Sequence, residues 1–178
     1  AIAGSVAVCE NGNYYNRFYF VHPDGAVQHY DKKHLFTFGG EHKRFTAGTE
    51  RVVVNFRGVR ILLEVCYDLR FPVWSRNLGD YDMILYVASW PTPRVDAWSA
   101  LLRARAIENQ CYVAGVNRMG VDPACEYSGG SAIIDPYGKT IAECPWSRES
   151  AVSADIDMEA LQAFRKKFPV LDDADPFT

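Results

Sequence analysis

The sequence predicts a mixed domain of the α/β (α+β) class, and three observations predict it. Short runs rich in aromatic and β-branched residues outnumber helix-like stretches. Most of these runs are joined in pairs by turn-forming dipeptides, and only a few segments carry helical periodicity. At 178 residues the chain reads as one domain, 1–178, long enough to bury a substantial core. Its 48% hydrophobic and 23% charged content argues against disorder.

The elements follow in order. Residues 1–8 and 14–21 flank the turn-like Glu10-Asn11-Gly12-Asn13 and read as a β-hairpin. After the turn His22-Pro23-Asp24-Gly25, residues 26–30 form a third strand and deliver Lys32 just beyond its end. On extended backbone Tyr30 and Lys32 face one way while Asp31 and Lys33 face the other, so only one of the two lysines reaches any one site. Residues 37–50 lack periodicity and read as a loop containing Glu41. A second hairpin, 51–56 with 59–65, turns at Arg57-Gly58 and leads into Cys66. Residues 83–88 are a buried strand ending in Ser89-Trp90-Pro91, where Trp90 is placed to line a pocket or to pack at the sheet edge. Asp96 reads as the N-cap of a helix to about residue 110, followed by a strand over 112–117. Residues 131–135 and 140–144 make a third hairpin, 151–156 a last strand, and 158–168 an amphipathic helix stopped by Pro169. Gly138-Lys139-Thr140 imitates the end of a phosphate loop, but that motif requires glycine at Ile133 and a following helix.

Composition excludes several function classes. A net charge of -3 gives no electrostatic reason to bind nucleic acid or an anionic membrane. No apolar run reaches the length of a membrane span, and the first residues lack the pattern of a signal peptide, so the expectation is a soluble, unsecreted protein. Cys9, Cys66, Cys111, Cys125 and Cys144 are odd in number and never spaced as Cys-x-x-Cys, which reads as a reduced, cytoplasmic set. The four histidines show no ligand spacing, and neither a metal nor another cofactor is expected.

Residues 60–77, RILLEVCYDLRFPVWSRN, carry the chemistry. The apolar run before Cys66 is a buried strand, and Asp68, Phe71 and Pro72 end it and begin something helical. A cysteine at a strand-to-helix turn is pushed out of the end of the sheet, near backbone N–H groups of the next turn. Taken alone, such a cysteine reads equally as a small core residue. Together with Tyr30-Asp31-Lys32-Lys33-His34-Leu35-Phe36, however, the block resembles the nitrilase (carbon–nitrogen hydrolase) superfamily, and within it the omega-amidase branch, from about Gly4 to Phe177.

The resemblance implies a four-layer α-β-β-α sandwich and hydrolysis of a non-peptide amide through a thioester, with release of ammonia. It implies Cys66 as nucleophile, Lys32 as its cationic partner, and Glu41 as the family's second glutamate, orienting Lys32 or water. The Tyr67 backbone N–H would join Lys32 in stabilising the oxyanion, with Trp90 lining the substrate pocket. It also implies a small-molecule amide substrate, a 2-oxo dicarboxylic acid monoamide, and a homodimer or higher homo-oligomer to which the acidic tail DDADPF contributes. The family's first glutamate, the general base, has no counterpart in residues 1–178, since Glu10 falls in a hairpin turn. The resemblance therefore assigns the base to an upstream strand–helix–strand region. Glu64, two positions before Cys66, is expected to share its face and oppose the thiolate. Other readings are a Cys–His thiol hydrolase using His34 or His42, a plain structural domain, and a nitrilase-like pseudoenzyme that binds a ligand or partner.

Overall fold

The structure, a computed structural model, describes residues 1–175. It begins with strands β1 (Ile2–Glu10), β2 (Asn13–Val21) and β3 (Val27–Asp31), which form an antiparallel sheet in that order. The β1–β2 turn works because Asn11 and Gly12 both take positive φ, 51° and 79°, matching the twist of a two-residue hairpin. Cross-strand partners Arg17 and Asp31 are joined by a two-pronged ion pair at 2.7 and 2.9 Å, which fixes β3 immediately before Lys32.

A six-stranded mixed sheet follows, built from β4 (Val53–Phe56), β5 (Val59–Val65), β6 (Met83–Ala88), β7 (Tyr112–Asn117), β10 (Ala132–Ile134) and β11 (Thr140–Glu143). Its order is β11-β10-β7-β6-β5-β4, with β5, β6 and β7 parallel and the outer pairs antiparallel. Between β7 and β10 lies a small hairpin of β8 (Met119–Val121) and β9 (Glu126–Ser128). The helices are α1 (Pro72–Ser75), α2 (Val95–Glu108) and α3 (Met158–Lys167).

Two apolar cores hold these layers, one on each face of the six-stranded sheet. Leu62, Ile84 and Val113 meet Trp98, Leu102 and Ala106 of α2 on one side. On the other side, Ile61, Leu63, Val65 and Val87 meet Phe18, Phe20 and Tyr30 of the three-stranded sheet. Burying each such side chain contributes about 1.5–3 kcal/mol, so these faces dominate stability. The layers among the described residues are thus helix, sheet and sheet, and the outer face of β1–β3 carries no helix among them.

Three expectations need correction. Residues 151–156 form no strand: the alternation is present, but no neighbouring strand pairs with it. Helix α2 begins at Val95 with Arg94 at the N-cap position, so Asp96 sits inside the first turn and favours the positive helix end there without capping it. The 37–50 loop contains two 3₁₀ turns, Thr37–Gly39 and Glu41–Lys43, joined by Gly40 in the left-handed region. Of the acidic tail DDADPF, residues 176 and 177 lie outside the described residues.

Candidate active site

The parallel strands β5, β6 and β7 end side by side, and the residues just beyond them are Cys66, Ser89 with Trp90, and Arg118. In open sheets with parallel strands, ligands gather at these carboxyl ends. A cavity of about 470 Å³ lies here, lined by Lys32, Phe36, Glu41, Cys66, Ser89 and Asn117 among others.

Cys66 leaves its strand with φ of 49°, in the left-handed region that a side-chain-bearing residue rarely takes. This sharp bend separates the Cys66 thiol from the alternation of β5. Asp68 stabilises the bend: fully buried, it accepts hydrogen bonds from Val65 N (3.0 Å), Tyr30 Oη (2.8 Å) and His34 N (2.9 Å). Tyr30 Oη in turn accepts from Lys33 N and Trp74 Nε1. One carboxylate therefore ties the segment that carries Lys32 to the turn that carries Cys66.

Lys32 is buried, with 3% exposure, and donates through Nζ to Glu41 Oε2 at 2.7 Å. Its backbone is held from two sides, since its N–H donates to Asn16 O and its carbonyl accepts from Gly48 N. Gly48 has to be glycine, because a Cβ there would lie 2.0 Å from Asp31 O. Lys33 points elsewhere and lies over the Trp74 ring at 5.2 Å.

Glu41 accepts from three donors: Lys32 Nζ, Phe36 N at 2.6 Å and Asn16 Nδ2 at 3.0 Å. Burial works to raise its pKa, but Lys32 and the other donors outweigh burial and hold the carboxyl below its ordinary value. An ionised carboxylate so engaged orients the lysine and is poorly suited to taking a proton. Burial pushes the Cys66 thiol up, against the opposing pull of Lys32 and of the Ser89 carbonyl contact. Cys66 therefore rests as a thiol, and acting as a nucleophile would require it to lose its proton.

Glu64 does not share the face of Cys66. It is fully buried on the α2 side of the sheet, outside the lining of the cavity, where it accepts from Ser75 Oγ at 2.8 Å and has Tyr86 beside it. Burial first, and Asp68 second, push its carboxyl up to about 8. The expected opposition to the thiolate fails because the bend at Cys66 breaks the alternation on which it rested. Neither histidine lines the cavity: His34 Nδ1 is 2.9 Å from Asp68 Oδ1 with its ring stacked on Phe71, and His42 is exposed. Among the described residues no cluster of three or more His, Cys, Asp or Glu side chains converges as a metal site.

Tyr67 sits in the turn after Cys66, its ring edge-on to Phe36 and Phe71. Trp90 is 3% exposed, packs against Trp98, and forms one wall of a smaller cleft that also includes Cys66. Sequence reasoning missed Asn117, whose Oδ1 accepts from Trp90 N at 2.7 Å and whose Nδ2 donates to Trp90 O and Gly129 O. This buried amide fixes the Ser89-Trp90 wall, and its place at a strand end was the available signal.

A buried lysine and a cysteine on a strand-to-helix elbow, opening on one cavity between two packed sheets, define a thiol hydrolase of the carbon–nitrogen type. The carbon–nitrogen hydrolase family model matches residues 1–166, and the chain belongs to that family. The omega-amidase YafV of Escherichia coli K12 is 54% identical over 177 residues, covering 99% of this chain and 69% of that protein. A 2-oxoglutaramate amidase of Bacillus subtilis is 42% identical, covering 97% of this chain and 67% of its own length. The crystal structure of XC1258 from Xanthomonas campestris, a CN-hydrolase superfamily protein with an arsenic adduct in its active site, superposes with a TM-score of 0.96 at 47% identity. That match covers 99% of this chain and 70% of the other.

Proposed function

We propose that this enzyme hydrolyses the omega-amide of a 2-oxo dicarboxylic acid monoamide, releasing ammonia and the corresponding 2-oxo dicarboxylic acid. The observation that carries the reading is the joint opening of Cys66 and the Glu41-held Lys32 onto one cavity. The substrate class is supported by likeness to omega-amidase and 2-oxoglutaramate amidase.

Cys66 Sγ gives its proton to a base and bonds to the amide carbon, and the carbonyl electrons move onto oxygen. Lys32 Nζ and the Tyr67 backbone N–H stabilise that oxyanion, and removing one such donor typically costs about a hundredfold or more in rate. The carbon–nitrogen bond then breaks, the nitrogen takes the proton back, and ammonia leaves a thioester on Cys66. Water attacks the thioester, yielding the acid and the free thiol. Glu41 keeps Lys32 aimed throughout. The three donors on Glu41 suit it to holding the lysine rather than to carrying the proton.

We further read residues 1–178 as belonging to one catalytic domain, working in a reducing, cytoplasmic setting and as a homo-oligomer. Five unpaired thiols support the setting. No described helix is long and apolar enough to cross a membrane.

The test is ammonia release from 2-oxoglutaramate by the full protein, with mass spectrometry of the quenched enzyme. Turnover with an acyl adduct on Cys66, both abolished in Cys66→Ala, is the expected result. Turnover by Cys66→Ala within about tenfold of wild type, roughly 1.4 kcal/mol of barrier, overturns the assignment.

A further inference from the structure

Cys66 borders a second space that the reaction as written leaves unused. A narrow cleft runs from it between Phe36, Tyr67, Ser89, Trp90 and Pro91 to the side chains of Arg70 and Arg94. A wider depression of about 310 Å³ continues from there, sharing Phe36, Tyr67 and both arginines and adding Phe38. Neither lining includes an aspartate or glutamate.

Both arginines lie over aromatic rings of the cleft wall. Arg94 lies over the Phe36 ring at 5.4 Å, and Arg70 over the Trp90 ring at 5.0 Å. The start of the Arg94 side chain is anchored as well, because its backbone carbonyl accepts the Trp90 indole N–H at 2.7 Å. Among the described residues, however, neither guanidinium has a carboxylate partner or a side-chain hydrogen bond. Arg17, Arg51, Arg60, Arg105, Arg118 and Arg165 have an acidic partner, while Arg44, Arg57, Arg76, Arg103 and Arg148 lack one too among the described residues, so what sets Arg70 and Arg94 apart is their place in a cleft shared with Cys66. An aromatic face satisfies a guanidinium from above and leaves its in-plane fork of N–H donors free, and that fork matches a carboxylate in a two-pronged fashion.

We infer that Arg94, assisted by Arg70, receives the substrate's carboxylate and thereby selects an acidic amide over a neutral one. The inference rests on the reading of the substrate as a 2-oxo dicarboxylic acid monoamide. Cys66 and both arginines line the same cleft, so one short molecule seated there meets both, its amide at Cys66 and its acid group at the forks. Phe36 lines both this cleft and the catalytic cavity, and its N–H donates to Glu41, so the wall of the cleft is tied to the lysine's own partner. The carboxylate is remote from the reacting carbon and is bound equally in ground and transition states, so its loss falls mainly on KM.

The experiment compares kcat/KM for 2-oxoglutaramate with that for the five-carbon amide lacking the acid group, using the full protein and ammonia release for both. The wild-type ratio is expected to favour the acid strongly. Arg94→Met should lower the ratio by about tenfold to a hundredfold, the usual range for losing a charge-assisted hydrogen bond, chiefly through KM. Arg94→Lys should recover part of it, and the more exposed Arg70→Met provides a second, structurally gentler lowering. A wild-type preference that survives intact in these variants overturns the arginine assignment and leaves the substrate reading standing. A wild-type ratio near one removes the substrate reading, and the arginine assignment with it.

Discussion

At the scale of single residues, the site depends on which of two adjacent lysines faces the thiol. Burial raises the Cys66 pKa and Lys32 pulls it down, so the pH profile of alkylation by iodoacetamide lies to the alkaline side of a free thiol. Lys32→Met should move that profile further toward high pH and lower kcat by about a hundredfold or more. Lys33→Met, which removes a contact with Trp74, should leave both in place. Equal shifts from the two substitutions would sink the assignment. Cys66 and Lys32, which line one cavity, could be singled out in the sequence because they sit in long, specific blocks. Asn117, Arg70 and Arg94 were not singled out, because their roles arise only when the ends of three strands and the loops beyond them meet. Glu64 was misread because alternation was extended one residue past the point where φ changes sign at Cys66.

The elements show the same division between what local pattern specifies and what pairing decides. The Asn11-Gly12 hairpin, the β4–β5 pair and strands β6 and β7 could be drawn from alternation and turn chemistry alone. The β8–β9 hairpin was missed, since each strand is only three residues long and includes or adjoins irregular sequence. Residues 151–156 alternate correctly but have no ladder partner, and periodicity cannot reveal that. Where β5, β6 and α1 meet, Glu64 gives a pH prediction. Its raised pKa, caused by burial and then by Asp68, means that the unfolded chain releases this proton at lower pH than the folded one. The stability associated with the neutral carboxyl is complete below the ordinary carboxylate range and is lost as pH rises toward about 8. Glu64→Gln removes that loss, so its urea midpoint should gain on wild type steadily from pH 5 to 8. Parallel curves for the two proteins over that range would show that Glu64 does not hold its proton in the fold.

Across the whole molecule, the sheet that carries Cys66 is packed on both faces, and Cys66 touches both apolar cores. One core joins the six-stranded sheet to α2 and the other joins it to the three-stranded sheet with Lys32 at its edge. Cooperative units of a protein open locally at free energies below that of global unfolding. The thiol stays aligned with its lysine only while both seams are closed. On heating, amidase activity should therefore disappear before the far-UV signal of the helices and sheets, and the two losses should coincide only if both seams open together with the rest. The temperature range over which the enzyme works is then set by whichever of its two seams is the weaker, and strengthening the other would raise the melting point without extending the working range.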